Sequence, residues 1–334
     1  MGAIGIDDLR ERLELFVAAR FSAGSRLGRV DVMEDGHAGL TFGFTVDGIT
    51  GTQAFVIKLA PPGVRRSGNT DVYRQAPLLN ALHRAGLPVP PVRFAARDEA
   101  EFGVPYIVMP RLPGRTFVVW VPHPSFPADL VPALWRQTAT ALAAVHAFDW
   151  RRHLPDWESP RPLAGEVGRW DRILRQAPEP AWIDLGTRLG TALGETLPDG
   201  GQPGVVHGDY QPGNVLFEDG KLVAILDWEL SSIGDQRIDL GWLSMMSDAA
   251  SWADDWRPVA PVPPCELVAL YEAARGAPVG DVRWFHAFAN YRLGSIGCLN
   301  VKLHRRGQRT DPIWERFTGS IPALFRRGLD LLGR

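Results

Sequence analysis

The middle of the 334-residue chain constrains its fold most. Asp209, Asn214 and Asp227 sit five and then thirteen positions apart on polar loops hemmed by apolar segments. Residues 205–206, 215–217 and 222–226 read as three very short strands with loops between them. An Asp, an Asn five positions later and a second Asp on the next hairpin can converge on one point. A hydroxyl acceptor and Mg²⁺ need that convergence, because Mg²⁺ prefers hard oxygen ligands and commonly takes one or two side chains plus substrate phosphates. His207-Gly208-Asp209 taken alone reads first as a turn with a capping Asp. The order Lys58, Asp209, Asn214, Asp227 favours the phosphate reading.

Around this centre the pattern changes once along the chain. Residues 6–21 place Leu9, Leu13, Phe16 and Val17 on one helical face. Strand-like stretches follow at 28–34, 40–46 and 52–59, with turns at Asp35-Gly36 and Asp47-Gly48. A helix is expected over 71–84, stopped by Gly86 and Pro88, and further strands over 92–96 and 105–109. Beyond Pro113-Gly114, helical spacing dominates, as in Leu134, Thr138, Ala141, Leu142 and Val145, or Trp284, Phe288, Tyr291, Ser295 and Cys298. The expected division is therefore a β-rich lobe over 1–112 and a larger helical lobe over 113–334.

Composition removes several function classes. A net charge of −2 supplies no field for nucleic acid or a membrane surface. No apolar run approaches the roughly 20 residues of a bilayer span. Two cysteines, Cys265 and Cys298, make no disulfide framework, so a cytoplasmic location is expected.

His207-Gly208-Asp209 with Asn214, followed by Ile225-Leu226-Asp227-Trp228, resembles the aminoglycoside phosphotransferase and choline kinase group of the protein-kinase-like fold. In look it is closest to the kinase domains of acyl-CoA dehydrogenase family members 10 and 11. Pro88-Val89-Pro90, Val108-Met109 before Pro113-Gly114, and Gly234-Asp235 with Asp239-Leu240 support the resemblance, which covers residues 28–325.

The resemblance implies an α+β, bilobal fold with a small antiparallel-sheet lobe carrying one helix and a larger helical lobe. It implies an enzyme that moves the γ-phosphate of ATP, or GTP, to a hydroxyl of a small molecule, an aminoglycoside-like antibiotic or a metabolite. Asp209 would be the catalytic residue, and Asn214 and Asp227 would hold Mg²⁺. Lys58, an ion in an alternating apolar strand, would find its anion in the α/β-phosphates. Gly36 and Gly39 would lay backbone N–H groups over the phosphates. Adenine would lie between the lobes against Met109, Pro110 and Leu112; neither Pro110 nor Pro113 can donate, so the Leu112 N–H carries that role.

The sequence departs from the family pattern at two points. Ala38-Gly39 replaces a Ser-Asn pair, and Gln75 stands where a carboxylate would meet Lys58, with Glu101 or Asp71 as possible substitutes. These departures admit an alternative, a nucleotide-binding kinase-like module without turnover. For the acceptor, Asp248, Asp254 and Asp255 could suit a polycation, whereas Lys302, Arg305, Arg306 and Arg309 could attract an anionic molecule such as an acyl-CoA. Both groups also read as ordinary solvated charge.

Overall fold

The computed structural model describes residues 5–33 and 40–334. The chain divides into two units. The first is Met1–Pro113 with Arg151–Trp157 and Val223–Leu230; the second is Gly114–Trp150 with Glu158–Leu222 and Ser231–Arg334. Composition alone marks a boundary near 112 but cannot show the two later segments that return to the first unit.

The first unit opens with α1 (Ile6–Arg20), then β1 (Arg26–Val32), β2 (Leu40–Gly48) and β3 (Gly51–Leu59). Next come α2 (Gln75–Arg84), β4 (Phe94–Ala96) and β5 (Tyr106–Pro110). The five strands form an antiparallel sheet in the order β1-β2-β3-β5-β4. In β3 alternation buries Phe55, Ile57 and Leu59 and puts Lys58 on the other face, opposite Thr41 and Ile107. The α1 face of Leu9, Leu13, Phe16 and Val17 is buried, with the Phe16 ring edge-on to Phe94 and Tyr106 at 5.4 and 5.8 Å. The helix expected from residue 71 starts later. Asp71 accepts a hydrogen bond from Arg74 N at 3.3 Å and caps a single 3-10 turn, and regular α-helix begins at Gln75.

Beyond Pro113 the chain forms β6 (Arg115–Thr116), α3 (Val131–His146), α4 (Trp150–His153), α5 (Leu163–Leu174) and α6 (Pro180–Glu195). Then follow β7 (Pro203–Val206), β8 (Val215–Glu218), β9 (Lys221–Ile225) and β10 (Ser232–Asp235). Helices α7 (Arg237–Ser247), α8 (Pro264–Arg275), α9 (Arg283–Arg305), α10 (Ile313–Phe317) and α11 (Ser320–Leu331) complete it. The chain passes between units within α4 and within β9. β7 pairs antiparallel with β10, and β6, β8 and β9 make a second small sheet in that order. β6 and β10 are additions to the expected strands, too short and too rich in Gly and polar residues to show a period. A side chain on Gly241 would meet the Phe285 backbone at 2.4 Å, so α7 and α9 touch main chain to main chain there. That contact fixes the helix carrying Asp239.

Candidate active site

In the second unit, the loop after β7 is held from behind. The backbone N–H groups of His207 and Gly208 donate to the Asp239 carboxylate at 2.6 and 2.8 Å. Gly208 adopts φ +87, a left-handed conformation that a Cβ would disfavour. Asp239 is fully buried, which by itself would raise its pKa. The hydrogen bond from His146 and the donors on the loop outweigh burial and keep the carboxyl below its usual range. His146, at the end of α3, stands 3.3 Å from Asp239 through Nε2 and 2.7 Å from the Tyr271 hydroxyl through Nδ1. Arg275 donates to that hydroxyl oxygen at 2.7 Å. The oxygen therefore points its hydrogen at Nδ1, which assigns the His146 proton to Nε2. Burial pushes His146 below the ordinary histidine range, so it bridges as a neutral ring. Its sequence signal, a His ending a helix, does not reveal an Asp partner 93 positions away.

Asp209 heads the loop, its own N–H donating to His207 Nδ1 at 3.2 Å. One carboxylate oxygen accepts from Gln211 Nε2 at 3.2 Å and the other from Asn214 Nδ2 at 2.9 Å. The same Asn214 nitrogen also donates to the Asp209 carbonyl at 2.8 Å. Asn214 thus spends its amide hydrogens on Asp209 and makes no hydrogen bond through Oδ1 among the described residues. Gln211, which the sequence reading did not single out, completes the orientation of Asp209.

In the first unit, Lys58 Nζ lies 2.9 Å from Asp227 Oδ1, both side chains being partly exposed. Burial pulls the Lys58 pKa down, but Asp227, with Glu229 adding its charge, outweighs burial and leaves it raised. Asp227 itself sits at φ +60, a left-handed position that Asp tolerates better than most residues. Trp228, 1% exposed, donates from Nε1 to the Ile225 carbonyl at 3.0 Å, and Ile225 N donates to the Pro88 carbonyl at 2.7 Å. These bonds fasten both sides of Asp227. Glu229 is the residue the sequence reading missed.

Gln75 is the first residue of α2 and 2% exposed, and its amide is not bonded to Lys58. A full carboxylate within reach wins the ammonium over a neutral amide. Nor do the suggested substitutes serve: Glu101 pairs with Arg20 at 2.8 Å and with the Tyr106 hydroxyl, while Asp71 caps its turn. What does reach the lysine's neighbourhood is Arg74, which donates to the Glu229 carbonyl at 3.3 Å.

Of the expected nucleotide contacts, Gly36 and Gly39 lie outside the described residues. Met109 and Pro110 end β5, paired with Val56 and Phe55. Arg111 N bonds the Ala54 carbonyl at 2.9 Å, whereas the Leu112 N–H has no backbone acceptor among the described residues. No group of three or more His, Cys, Asp or Glu suited to a metal occurs among the described residues. Asn214 Oδ1 and an Asp227 carboxylate oxygen are nonetheless hard donors. Each, taken singly, is the kind of ligand that Mg²⁺ takes, the rest of its shell coming from phosphates and water.

Of the acidic side chains offered for a polycation, Asp248 binds Arg327 at 2.7 Å and Asp254 pairs with Arg257. Of the basic run, Arg305 is neutralised by Glu179 and Glu315, both at 2.6 Å.

Residues 38–278 match the family described as the phosphotransferase enzyme family. Curated relatives include a probable acyl-CoA dehydrogenase, IBR3, from Arabidopsis thaliana, 24% identical over 302 residues, covering 80% of this chain and 35% of that protein. Acyl-CoA dehydrogenase family member 11 of Gallus gallus is 26% identical over 304 residues, covering 85% of this chain and 38% of that protein. The chain thus spans little more than a third of these relatives. Among solved structures, a Ralstonia eutropha protein assigned to the aminoglycoside phosphotransferases has a TM-score of 0.78 at 21% identity, over 97% of this chain and 98% of that one. A type I macrolide 2'-phosphotransferase has a TM-score of 0.62 at 22% identity, over 97% and 99%. These likenesses establish the kinase-like fold, a sheet lobe and a helical lobe. With the match running through β2, β3, the Asp239-braced loop and the Asp227 turn, the chain belongs to the phosphotransferase enzyme family.

Proposed function

We propose that the protein transfers the γ-phosphate of ATP or GTP to a hydroxyl of a small molecule with the help of Mg²⁺. The observation that carries this reading is the Asp209–Asn214 pair. Asn214 turns its amide hydrogens onto Asp209 at 2.9 Å and keeps its oxygen for a cation, while Asp209 is aimed by Gln211 and by the Asp239 grip on its loop. Asp209 accepts or orients the acceptor's hydroxyl proton. Asn214 and Asp227 would hold Mg²⁺, which would offset charge on the phosphates. Lys58 exchanges its Asp227 contact for the α/β-phosphates, and Glu229 adds negative charge that keeps the lysine protonated. The Leu112 N–H and the backbone of 109–110 receive the base. Phosphoryl transfer leaves little covalent work to the protein, so positioning and charge supply most of the rate.

Neighbouring solved structures hold hygromycin B or kanamycin, and the acyl-CoA dehydrogenase relatives add acyl-CoA derivatives as a class to test. The test is a transfer assay with γ-labelled ATP and GTP across aminoglycosides, macrolides, amino alcohols and hydroxyacyl-CoAs, with and without Mg²⁺. Mg²⁺-dependent labelling of at least one class is expected. Nucleotide binding with no labelling and no hydrolysis above background would leave only the non-catalytic module.

A further inference from the structure

Helix α9 carries an arginine that the proposed chemistry does not use. Arg292 is 5% exposed, and among the described residues no hydrogen bond or ion pair reaches its guanidinium. Its two close neighbours are aromatic faces: the guanidinium carbon stands 5.0 Å from the Trp170 ring centre on α5 and 4.7 Å from the Trp242 ring centre on α7. Cation–π contact holds such a group but leaves its N–H donors unused. Here Arg292 Nε, Trp170 Nε1 and Trp242 Nε1 are all buried without an acceptor. Three orphaned donors in one contact cluster, one of them on a cation, are costly to keep in a protein interior. An anion beside the guanidinium would supply the charge and the acceptor that the arginine lacks.

The cluster also lies beside the catalytic loop. Trp242 is three residues after Asp239 on α7, hence on the same face, and Asp239 grips the backbone of His207 and Gly208. Burial draws the Arg292 pKa down, and Asp209 is the carboxylate that most strongly opposes this, followed by Glu166 across α5. Arg169, on α5 next to Trp170, lies 5.2 Å from that ring and adds positive charge on the same side. A polycation approaching Asp209 from α5 and α9 meets two arginines. An anion meets the guanidinium fork of Arg292.

We propose that Arg292, packed on the ring faces of Trp170 and Trp242, reads a negatively charged group on the acceptor, so that the molecule phosphorylated beside Asp209 carries a carboxylate or phosphate close to its hydroxyl. This rests on the phosphotransferase reading for its place in the reaction, but not for the existence of the anion site.

The test uses the full chain with Mg·ADP present, and calorimetric binding of matched probes: 3-hydroxybutyrate against 3-hydroxybutyramide, and glycerol 3-phosphate against glycerol. At least one anion should bind tenfold or more tightly than its neutral partner, and which pair shows it separates a carboxylate from a phosphate site. Arg292→Met should abolish that preference and leave Mg·ADP affinity unchanged. Its midpoint of thermal unfolding should be unchanged or higher, because an uncompensated buried charge is removed. Arg292→Lys keeps the charge but loses the fork, and should weaken the anion several-fold; it decides the matter if Arg292→Met does not fold. Equal binding of anion and neutral partner to the wild type, no binding of either anion, or an unchanged preference in Arg292→Met and Arg292→Lys would overturn the proposal. The binding readout needs no turnover. Anion preference without transfer to any hydroxyl would therefore sink the phosphotransferase reading alone, and transfer without anion preference would sink the anion site alone.

Discussion

Individual residues in the site trade backbone comfort for position. Asp227 holds a left-handed conformation at φ +60 while its carboxylate faces Lys58. For a residue with a Cβ and no polar side chain, that conformation costs roughly 1–2 kcal/mol. Asp227→Gly should therefore be about 1 kcal/mol more stable than Asp227→Ala in urea unfolding, although both lose the carboxylate that faces Lys58. Equal stability of the two would mean that the turn relaxes without its carboxylate. Gln75 leads to the opposite expectation from its family position. A glutamate there would sit in a 2%-exposed site with no bonded ammonium, so Gln75→Glu should destabilise by about 1–3 kcal/mol rather than restore an ion pair. A gain in stability together with tighter nucleotide binding would show that Lys58 can leave Asp227 for α2.

The element scale separates what the sequence revealed from what it hid. The α1 stripe of Leu9, Leu13, Phe16 and Val17, the alternation of β3 and the loop order Asp209, Asn214, Asp227 are local patterns, and local patterns were readable. The brace behind the loop was not: it joins His146 on α3, Tyr271 on α8 and Asp239 on α7, residues up to 125 positions apart in sequence. Arg74 and Glu229 escaped for the same reason, at a separation of 155. Short polar strands such as β10 carry no period and become strands only because β7 lies alongside. Two tests belong at this scale. Gly241→Ala forces a methyl to within 2.4 Å of the Phe285 backbone and should separate α7 from α9, at a cost of about 1–3 kcal/mol, read by urea unfolding. His146→Leu removes the donor to Asp239 and leaves a buried carboxylate short of a partner. It should lower turnover more than nucleotide affinity, because the loop it loosens carries Asp209; equal effects on both would assign His146 to folding alone.

For the molecule as a whole, buried neutral histidines set the acid limit. His286 on α9 is 6% exposed and lies 3.3 Å from Asp248, which already binds Arg327 at 2.7 Å. Burial dominates over that carboxylate and pushes His286 down to about 4. Above the unfolded value near 6.5 the ring is neutral in both states and contributes nothing to the pH slope. As the pH falls from 6.5 to 4 the unfolded chain takes up a proton that the folded chain refuses, and stability should drop by up to about 3 kcal/mol. His146 acts in the same direction. His286→Asn should flatten the fall of unfolding free energy between pH 6.5 and 4; an unchanged slope would mean that the ring is already protonated against Asp248.

Phosphotransfer rests on dividing labour between two carboxylates that look alike in sequence. In the proposed transfer Asp227, which faces Lys58, would hold the metal, and Asp209, oriented by Gln211 and Asn214, would accept the hydroxyl's proton. The decisive measurement is Mg·ATP affinity by calorimetry together with the transfer or hydrolysis rate, for Asp209→Asn and Asp227→Ala. Asp209→Asn should keep nucleotide affinity near wild type while the rate falls by about 10²–10⁴, the usual worth of a positioned acid or base. Asp227→Ala should weaken both. Full activity in Asp209→Asn, or an equal loss of nucleotide binding in the two variants, would contradict the assignment.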